Sequence, residues 1–272
     1  MVDSQLSSFL ENLWVEGESI SLAGDSISAV QHYQPSMRKH LPQSWRLLKT
    51  WQQHELPARA PPFTVDTLQV LLGWFHKQEP RVALALFLAF RCLIRTGEML
   101  SISAQDIIIP PGSLSGVLYL GDTKTSGRNP HAGTVALTDP SLVLFLKSWK
   151  QTVSPSTRVV PWSSTKFRTM FQEGLIKTGL SKFQFKPYSL RRGGATDQWL
   201  LTKNYAHVAH LGRWATEKTM KIYIQDSIAL LTSLSFHPSP IQKQFITYWN
   251  QICRVEPMTK SHTGGGRGRK SK

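Results

Sequence analysis

Cysteine is scarce in this 272-residue chain: Cys92 and Cys253 are the whole complement. They lie far apart in apolar contexts, so two reduced, buried thiols are expected rather than a disulfide framework. No His, Cys, Asp and Glu residues recur at metal-ligand spacing, and neither a metal nor another cofactor is expected. Long apolar runs are missing too. The longest, Val82–Ile94, carries Arg91 and falls short of a membrane span, which makes it a buried helix. The opening MVDSQLSS lacks a signal-peptide pattern, so an intracellular protein with no membrane partner is expected. Acidic residues are also few. Seventeen Asp and Glu stand against 32 Lys and Arg, giving a net charge of +15 and a pI near 10.0. A polyanionic partner, nucleic acid first, accounts for that balance; a merely basic soluble protein is the plainer alternative.

The length fits one large or two modest domains with a sizeable core. Residues 4–55 carry helical spacing: Leu6, Phe9, Leu10, Leu13 and Trp14 precede Gly17, a second segment runs from Ser19 to Tyr33, and a third from Leu41 to His54. Trp45 and Trp51 in the third read as core. The proline-rich stretch 56–64 reads as a linker, with Thr64 capping the next helix. The expected organisation is a helical module at 1–55, a linker at 56–64, a larger domain at 65–255 and a disordered basic tail at 256–272. The larger domain is expected to hold helices at 65–76 and 80–95. A small antiparallel sheet from Ile107–Ile109, Val117–Leu120 and Thr134–Leu137 follows, with a glycine-rich turn at 126–133. Further helices are expected near 140–152, 163–178, 189–201, 205–211, 216–233 and 240–252. The fold class is therefore mainly α with a small antiparallel sheet.

One stretch concentrates chemistry. Between Pro187 and Gln225 stand Arg191 and Arg192, then Trp214 23 positions after Arg191, then Tyr223 nine positions later. A phenol beside fixed guanidinium groups is what covalent attack on a phosphodiester requires, because the arginines hold and neutralise the phosphate oxygens. Upstream, LIRTGEMLSI carries Arg95 with Glu98, and GDTKTSGRNP carries Lys124 in the expected hairpin.

Taken together and in this order, these residues resemble the tyrosine recombinase, or phage-integrase, family. Its pattern is an arginine in a Gly-Leu-Arg-x-x-Glu-Leu context, a hairpin lysine, His-x-x-Arg, a His or Trp, and the nucleophilic tyrosine. Arg95, Lys124, Arg191, Trp214 and Tyr223 match it in turn, over residues 65–235, and 4–55 resemble a shortened core-binding domain. The family histidine is here Tyr188. A phenol, with an ordinary pKa near ~10, does not replace imidazole as an acid–base group near neutrality, though it can donate to a phosphate oxygen.

The resemblance implies a site-specific recombinase or integrase, encoded by a mobile element, that acts on double-stranded DNA as a homo-oligomer, a tetramer on its site. Tyr223 would form a 3′-phosphotyrosyl link and release a 5′-hydroxyl, Arg95, Arg191 and Trp214 would stabilise the phosphate, and Lys124 would protonate the leaving oxygen. Arg38, Lys39, Arg46 and Lys49 in the module are DNA-contact candidates, as are Lys166, Arg168, Lys182 and Lys186 in the larger domain. Arg128, Arg192 and Arg213 read as phosphate clamps or surface charges. Glu98 reads as orienting Arg95 or capping a helix. His131 lies near the Lys124 turn, while His207 and His210 read as core or surface histidines. The GRGRKSK tail reads as a nucleic-acid arm, a nuclear-import patch in a eukaryotic host, or an end without a role. Packing of 240–252 on a neighbouring protomer and on its own domain are both open. Tyr188 also leaves open a DNA-binding protein that keeps the fold without turnover, and the same chemistry would suit a type IB topoisomerase-like relaxer.

Overall fold

A computed structural model of the chain describes residues 2–16, 18–54, 60–121, 133–221 and 223–253. They belong to two compact units, Met1–Arg59 and Ala60–Lys272.

In the first unit, α1 (Val2–Val15), α2 (Ile20–Tyr33) and α3 (Pro42–His54) close on one small core. Leu6, Leu10 and Leu13 repeat every three or four residues and meet Ala23, Ile27, Leu48 and Trp51. The Trp14 and Trp51 rings stack with centroids 5.5 Å apart. Asp3 on α1 anchors the start of α3. It accepts from the backbone N–H of Gln43 (2.9 Å) and Ser44 (3.0 Å) and from the Ser44 hydroxyl (2.7 Å). The two tryptophans expected in this core divide: Trp51 is 1% exposed and Trp45 is 45% exposed. The inner stripe runs Leu41, Ser44, Leu48, Trp51, and Trp45 sits one residue, about 100°, off it.

The second unit is built around α5 (Pro80–Arg91), which is buried at every position from Val82 to Phe90. Such a helix must be surrounded, and α4 (Val65–Gln78), α7 (Pro140–Lys150) and α9 (Tyr188–Thr202) surround it. Thr64 caps α4 in a reciprocal pair with Thr67. Glycines set the close crossings. A Cβ on Gly194 of α9 would stand 2.0 Å from the Phe90 carbonyl oxygen, and one on Gly193 2.4 Å from that of Phe63. At Gly73 a Cβ would stand 2.3 Å from the Phe245 carbonyl, so α13 (Pro240–Ile252) lies directly on α4 of its own domain.

Three short strands, β1 (Ile107–Ile108), β2 (Gly116–Tyr119) and β3 (Thr134–Leu137), form an antiparallel sheet in that order. Leu118 pairs with Ile107 and Val135, and these three with Leu137 turn into the core. Leu120 and Gly133 close the hairpin at 2.6 Å. The segment beyond, which holds Lys124, Arg128, His131 and most of the expected glycine-rich turn, lies outside the described residues, as does the tail expected to be disordered. The remaining helices are α6 (Thr96–Ser101), α8 (Ser164–Lys177), α10 (Tyr205–Gly212), α11 (Glu217–Lys221) and α12 (Asp226–Ser235). Among the described residues no helix is long and apolar enough to cross a membrane.

Two expected helices are broken, and both breaks lead into the region of Arg191. The 80–95 helix stops at Arg91. Leu93 takes a left-handed backbone (φ 50°), and Arg95 opens α6 instead of closing α5. The 216–233 helix is two pieces, and Tyr223 sits between α11 and α12 rather than on a helix.

Candidate active site

Arg191 is the centre of the site. It projects from the first turns of α9 and is 1% exposed. A buried guanidinium needs fixed acceptors. Arg191 Nη1 donates to the Leu93 carbonyl, and Nη2 to the Gly212 carbonyl at 2.6 Å. Left-handed residues stand at both places: Leu93 itself, and Arg213 (φ 57°), which follows Gly212 as the cap of α10. The helix ends thus aim carbonyls at Arg191 instead of back along their own axes. Burial, then the neighbouring Arg213 and Arg95, bring Arg191 down to about 10, so it stays cationic at neutral pH.

Glu98 gathers two further arginines. Its Oε1 accepts from Arg95 Nη1 at 2.6 Å, and its Oε2 accepts from Arg213 Nη2 at 2.7 Å and from the Arg95 backbone N–H at 2.8 Å. Glu98 therefore orients Arg95 and caps α6, as the sequence led us to expect, and also holds Arg213. The Glu98 and Arg213 side chains are 8% and 7% exposed, whereas Arg95 is 38% exposed and reaches the surface.

The aromatic residues close the other side. The Arg191 guanidinium carbon lies 4.4 Å from the Trp214 ring centre and 5.4 Å from that of Tyr223. The Trp214 and Tyr223 rings are 4.6 Å apart, and those of Tyr188 and Tyr223 are 5.5 Å apart. Both Trp214 and Tyr223 also pack against Leu93, Ala195, Val208 and Met220, so they serve the core as well as the site. A Cβ on Gly212 would lie 1.8 Å from the Trp214 ring, and only glycine leaves the indole room. The Thr196 hydroxyl fixes the segment after Tyr223, accepting from the Gln225 backbone N–H at 3.1 Å.

The two phenols are driven apart. Burial pushes Tyr223 up, but a hydrogen bond with Tyr188, the charge of Arg191, the nearby Trp214 N–H and Arg95 together lower it below the ordinary phenol value. Tyr188 moves the other way, to about 12, through burial and its hydrogen bond to Tyr223. Among the described residues of the site, Arg191 Nε, Arg213 Nη1 and Trp214 Nε1 are buried without completing a hydrogen bond. Buried donors of this kind call for an acceptor from outside.

Of the residues singled out from sequence, Arg95, Tyr188, Arg191, Trp214 and Tyr223 are brought together. Arg192 is buried, donates to the Ala60 carbonyl at 3.0 Å and lies 5.1 Å from the Tyr188 ring centre. It and Arg213 are therefore interior groups, not surface charges. Arg38, Lys39, Arg46, Lys49, Lys166, Arg168, Lys182 and Lys186 are exposed, as are His207 and His210. Cys92 and Cys253 are free, with only Cys92 fully buried. Burial lifts both thiols to about 12. Sequence reasoning missed the link from Glu98 to Arg213, and the Thr196 contact; neither follows a local spacing. Among the described residues no three His, Cys, Asp or Glu side chains gather as metal ligands would.

No protein-family model matches this sequence, and no curated protein matches it. Solved structures match it in shape. A lambda integrase dimer bound to a COC′ core site is 18% identical with a TM-score of 0.57, over 83% of this chain and 65% of that one. A Tn1549 transposon integrase in complex with transposon right-end DNA is 11% identical with a TM-score of 0.60, over 86% of this chain and 85% of that one. The same integrase with circular intermediate DNA gives 12% and 0.59, over 85% and 86%. The chain thus spans about two thirds of the lambda integrase chain. Likeness at these identities establishes the fold, and the fold is that of the tyrosine recombinases.

Proposed function

We propose that this chain cleaves and rejoins double-stranded DNA as a site-specific tyrosine recombinase. One observation carries the reading: a buried, fixed arginine lies against Tyr223 and Trp214, with N–H donors left over for an anion. A phosphodiester supplies that anion, and a net charge of +15 draws it in. In this reading Tyr223 attacks the phosphorus, and Arg191, Arg95 and Trp214 take up charge growing on the non-bridging oxygens. Each such donor is worth roughly 2.7–4 kcal/mol in the transition state. The phosphotyrosyl link stores the bond energy for rejoining, so no nucleotide is consumed. Lys124 supplies the leaving-group proton by resemblance to the family. The exposed basic residues of both units grip the duplex, Arg192 and Arg213 support the phosphate pocket from inside, and the active assembly is a tetramer. A mobile element is the source, and in a eukaryotic host the protein works in the nucleus.

Tyr188 in the histidine position favours a second reading, a DNA-binding protein that keeps the fold and has lost turnover. Nicked suicide substrates drawn from a random-sequence library separate the two. The enzyme traps strands on the wild-type protein and none on Tyr223→Phe. Salt-sensitive binding with no covalent adduct on either protein would establish the second reading instead.

A further inference from the structure

We propose that Arg213 is a positioning residue for Arg95: by taking one oxygen of Glu98 it stops that carboxylate from neutralising Arg95, and leaves the Arg95 guanidinium fixed in place with charge to spare for a phosphate. The proposal deepens the strand-cleavage reading above, on which its meaning for catalysis rests. The arrangement itself is a property of the free protein.

Both oxygens of Glu98 are engaged. Oε1 accepts from Arg95 Nη1 at 2.6 Å, and Oε2 accepts from Arg213 Nη2 at 2.7 Å and from the Arg95 backbone N–H at 2.8 Å. Among the described residues Glu98 is the only carboxylate paired with either arginine. One anion between two cations leaves a positive charge over. Arg213 is 7% exposed and Arg95 38%, so an anion from solvent can meet that charge only at Arg95. Arg191 adds a further cation whose own acceptors, the Leu93 and Gly212 carbonyls, are neutral.

The chain holds Arg213 there by its backbone. Gly212 gives its carbonyl to Arg191 at 2.6 Å. Arg213 follows in a left-handed conformation (φ 57°), its N–H bonded to the His210 carbonyl at 3.0 Å, and Trp214 comes next with its ring 4.4 Å from the Arg191 guanidinium carbon. Glycine is the usual residue at such a cap. Packing alone does not account for an arginine in this place. A second cation buried on one carboxylate costs desolvation that a single ion pair does not repay, and Arg213 Nη1 is buried without completing a hydrogen bond among the described residues. With a neutral side chain at 213, Glu98 and Arg95 would close into a neutral pair facing the incoming phosphate. Arg213 keeps that pair open and fixes the plane of the carboxylate, and the carboxylate fixes Arg95.

The test uses the full chain with nitrogen-15 arginine, the side-chain N–H signals being followed by NMR as inorganic phosphate is added. Arg95→Lys identifies the Arg95 signal, which separates this site from other basic groups. Phosphate should shift that signal saturably, and Arg213→Met should raise the midpoint about tenfold. Arg213→Lys, which restores the charge, should return it most of the way. In the Glu98→Gln background Arg213→Met should add nothing, because Arg213 acts through that carboxylate. Single-turnover cleavage should fall about tenfold in Arg213→Met with DNA affinity unchanged. Arg213→Gln, neutral but able to keep an N–H on Glu98, is the second variant should Arg213→Met fail to fold, and it should raise the midpoint roughly threefold. A folded Met or Gln variant with an unmoved Arg95 midpoint, or an effect just as large without Glu98, would overturn the proposal. Absence of covalent adducts on the wild type, with Arg95 responding as expected, would sink the strand-cleavage reading alone.

Discussion

At the scale of single residues, the site is an arrangement of arginines that would repel one another without Glu98. Its carboxylate is shared by Arg95 and Arg213, and its side chain is 8% exposed. Removing the charge leaves Arg213 buried beside Arg191 with no counter-ion. Glu98→Gln should therefore lower stability by about 3 kcal/mol, the scale of a broken buried pair, seen as a fall in denaturation midpoint, and cleavage should fall with it. Leu93 poses the opposite question. Its left-handed backbone costs roughly 1–2 kcal/mol, which glycine would relieve. Its side chain is fully buried, and truncating such a leucine costs roughly 2–5 kcal/mol. Packing outweighs strain, so Leu93→Gly should be less stable than wild type by about 2 kcal/mol in denaturant titration. Arg95, Arg191, Trp214 and Tyr223 were legible in the chain because their types and order carry chemistry. The interior place of Arg213 was not, because it depends on a left-handed cap that local sequence usually marks with glycine.

At the scale of elements, the glycines of α9 decide whether the site assembles. Arg191 and Arg192 reach their partners only because Gly193 and Gly194 let α9 press on Phe63 and Phe90. Gly194→Ala puts a Cβ 2.0 Å from the Phe90 carbonyl oxygen, an atom of a buried helix that cannot swing aside. A loss of about 3 kcal/mol is expected in thermal unfolding, from overpacking. Gly212→Ala acts more locally, since the clash is with the Trp214 ring. It should displace the indole, change the tryptophan fluorescence and weaken cleavage more than stability. Elements with their own punctuation were readable: Thr64 before α4, the prolines opening α5, α7 and α13, and the alternation of β2 and β3. The break before Tyr223 was not. TEKTMKIYIQDSIALL runs on in helical period without Gly or Pro, and what interrupts it is a tertiary bond, the Thr196 hydroxyl taking the Gln225 N–H. The end of α5 was missed for a related reason, because Leu93 and the Arg95–Glu98 pair start a new helix without a breaker residue.

For the whole molecule, charge is divided unequally. Residues 1–59 carry five basic and six acidic side chains, a net −1, so residues 60–272 carry the whole positive excess, a net +16. Net attraction to DNA therefore lies in the second unit, and each phosphate it neutralises should contribute about −0.9 to the slope of log affinity against log salt. The first unit can add only local contacts. Its acids at Asp3, Glu11, Glu16, Glu18 and Asp25 lie in α1, α2 and the turn between them, while Arg38, Lys39, Arg46 and Lys49 lie on or just before α3. Arg46 and Lys49 are exposed and three residues apart, on neighbouring positions of one helical face. If that face meets DNA, replacing both with alanine should flatten the salt slope by roughly 2 and weaken binding to all sequences alike. Replacing Glu11 and Glu16 should leave the slope unchanged, although it raises the net charge as much as the first pair lowers it. Fluorescence anisotropy across a salt series reads both outcomes. Equal and opposite effects of the two pairs would mean that only net charge matters, and the first unit would then have no DNA-contacting face.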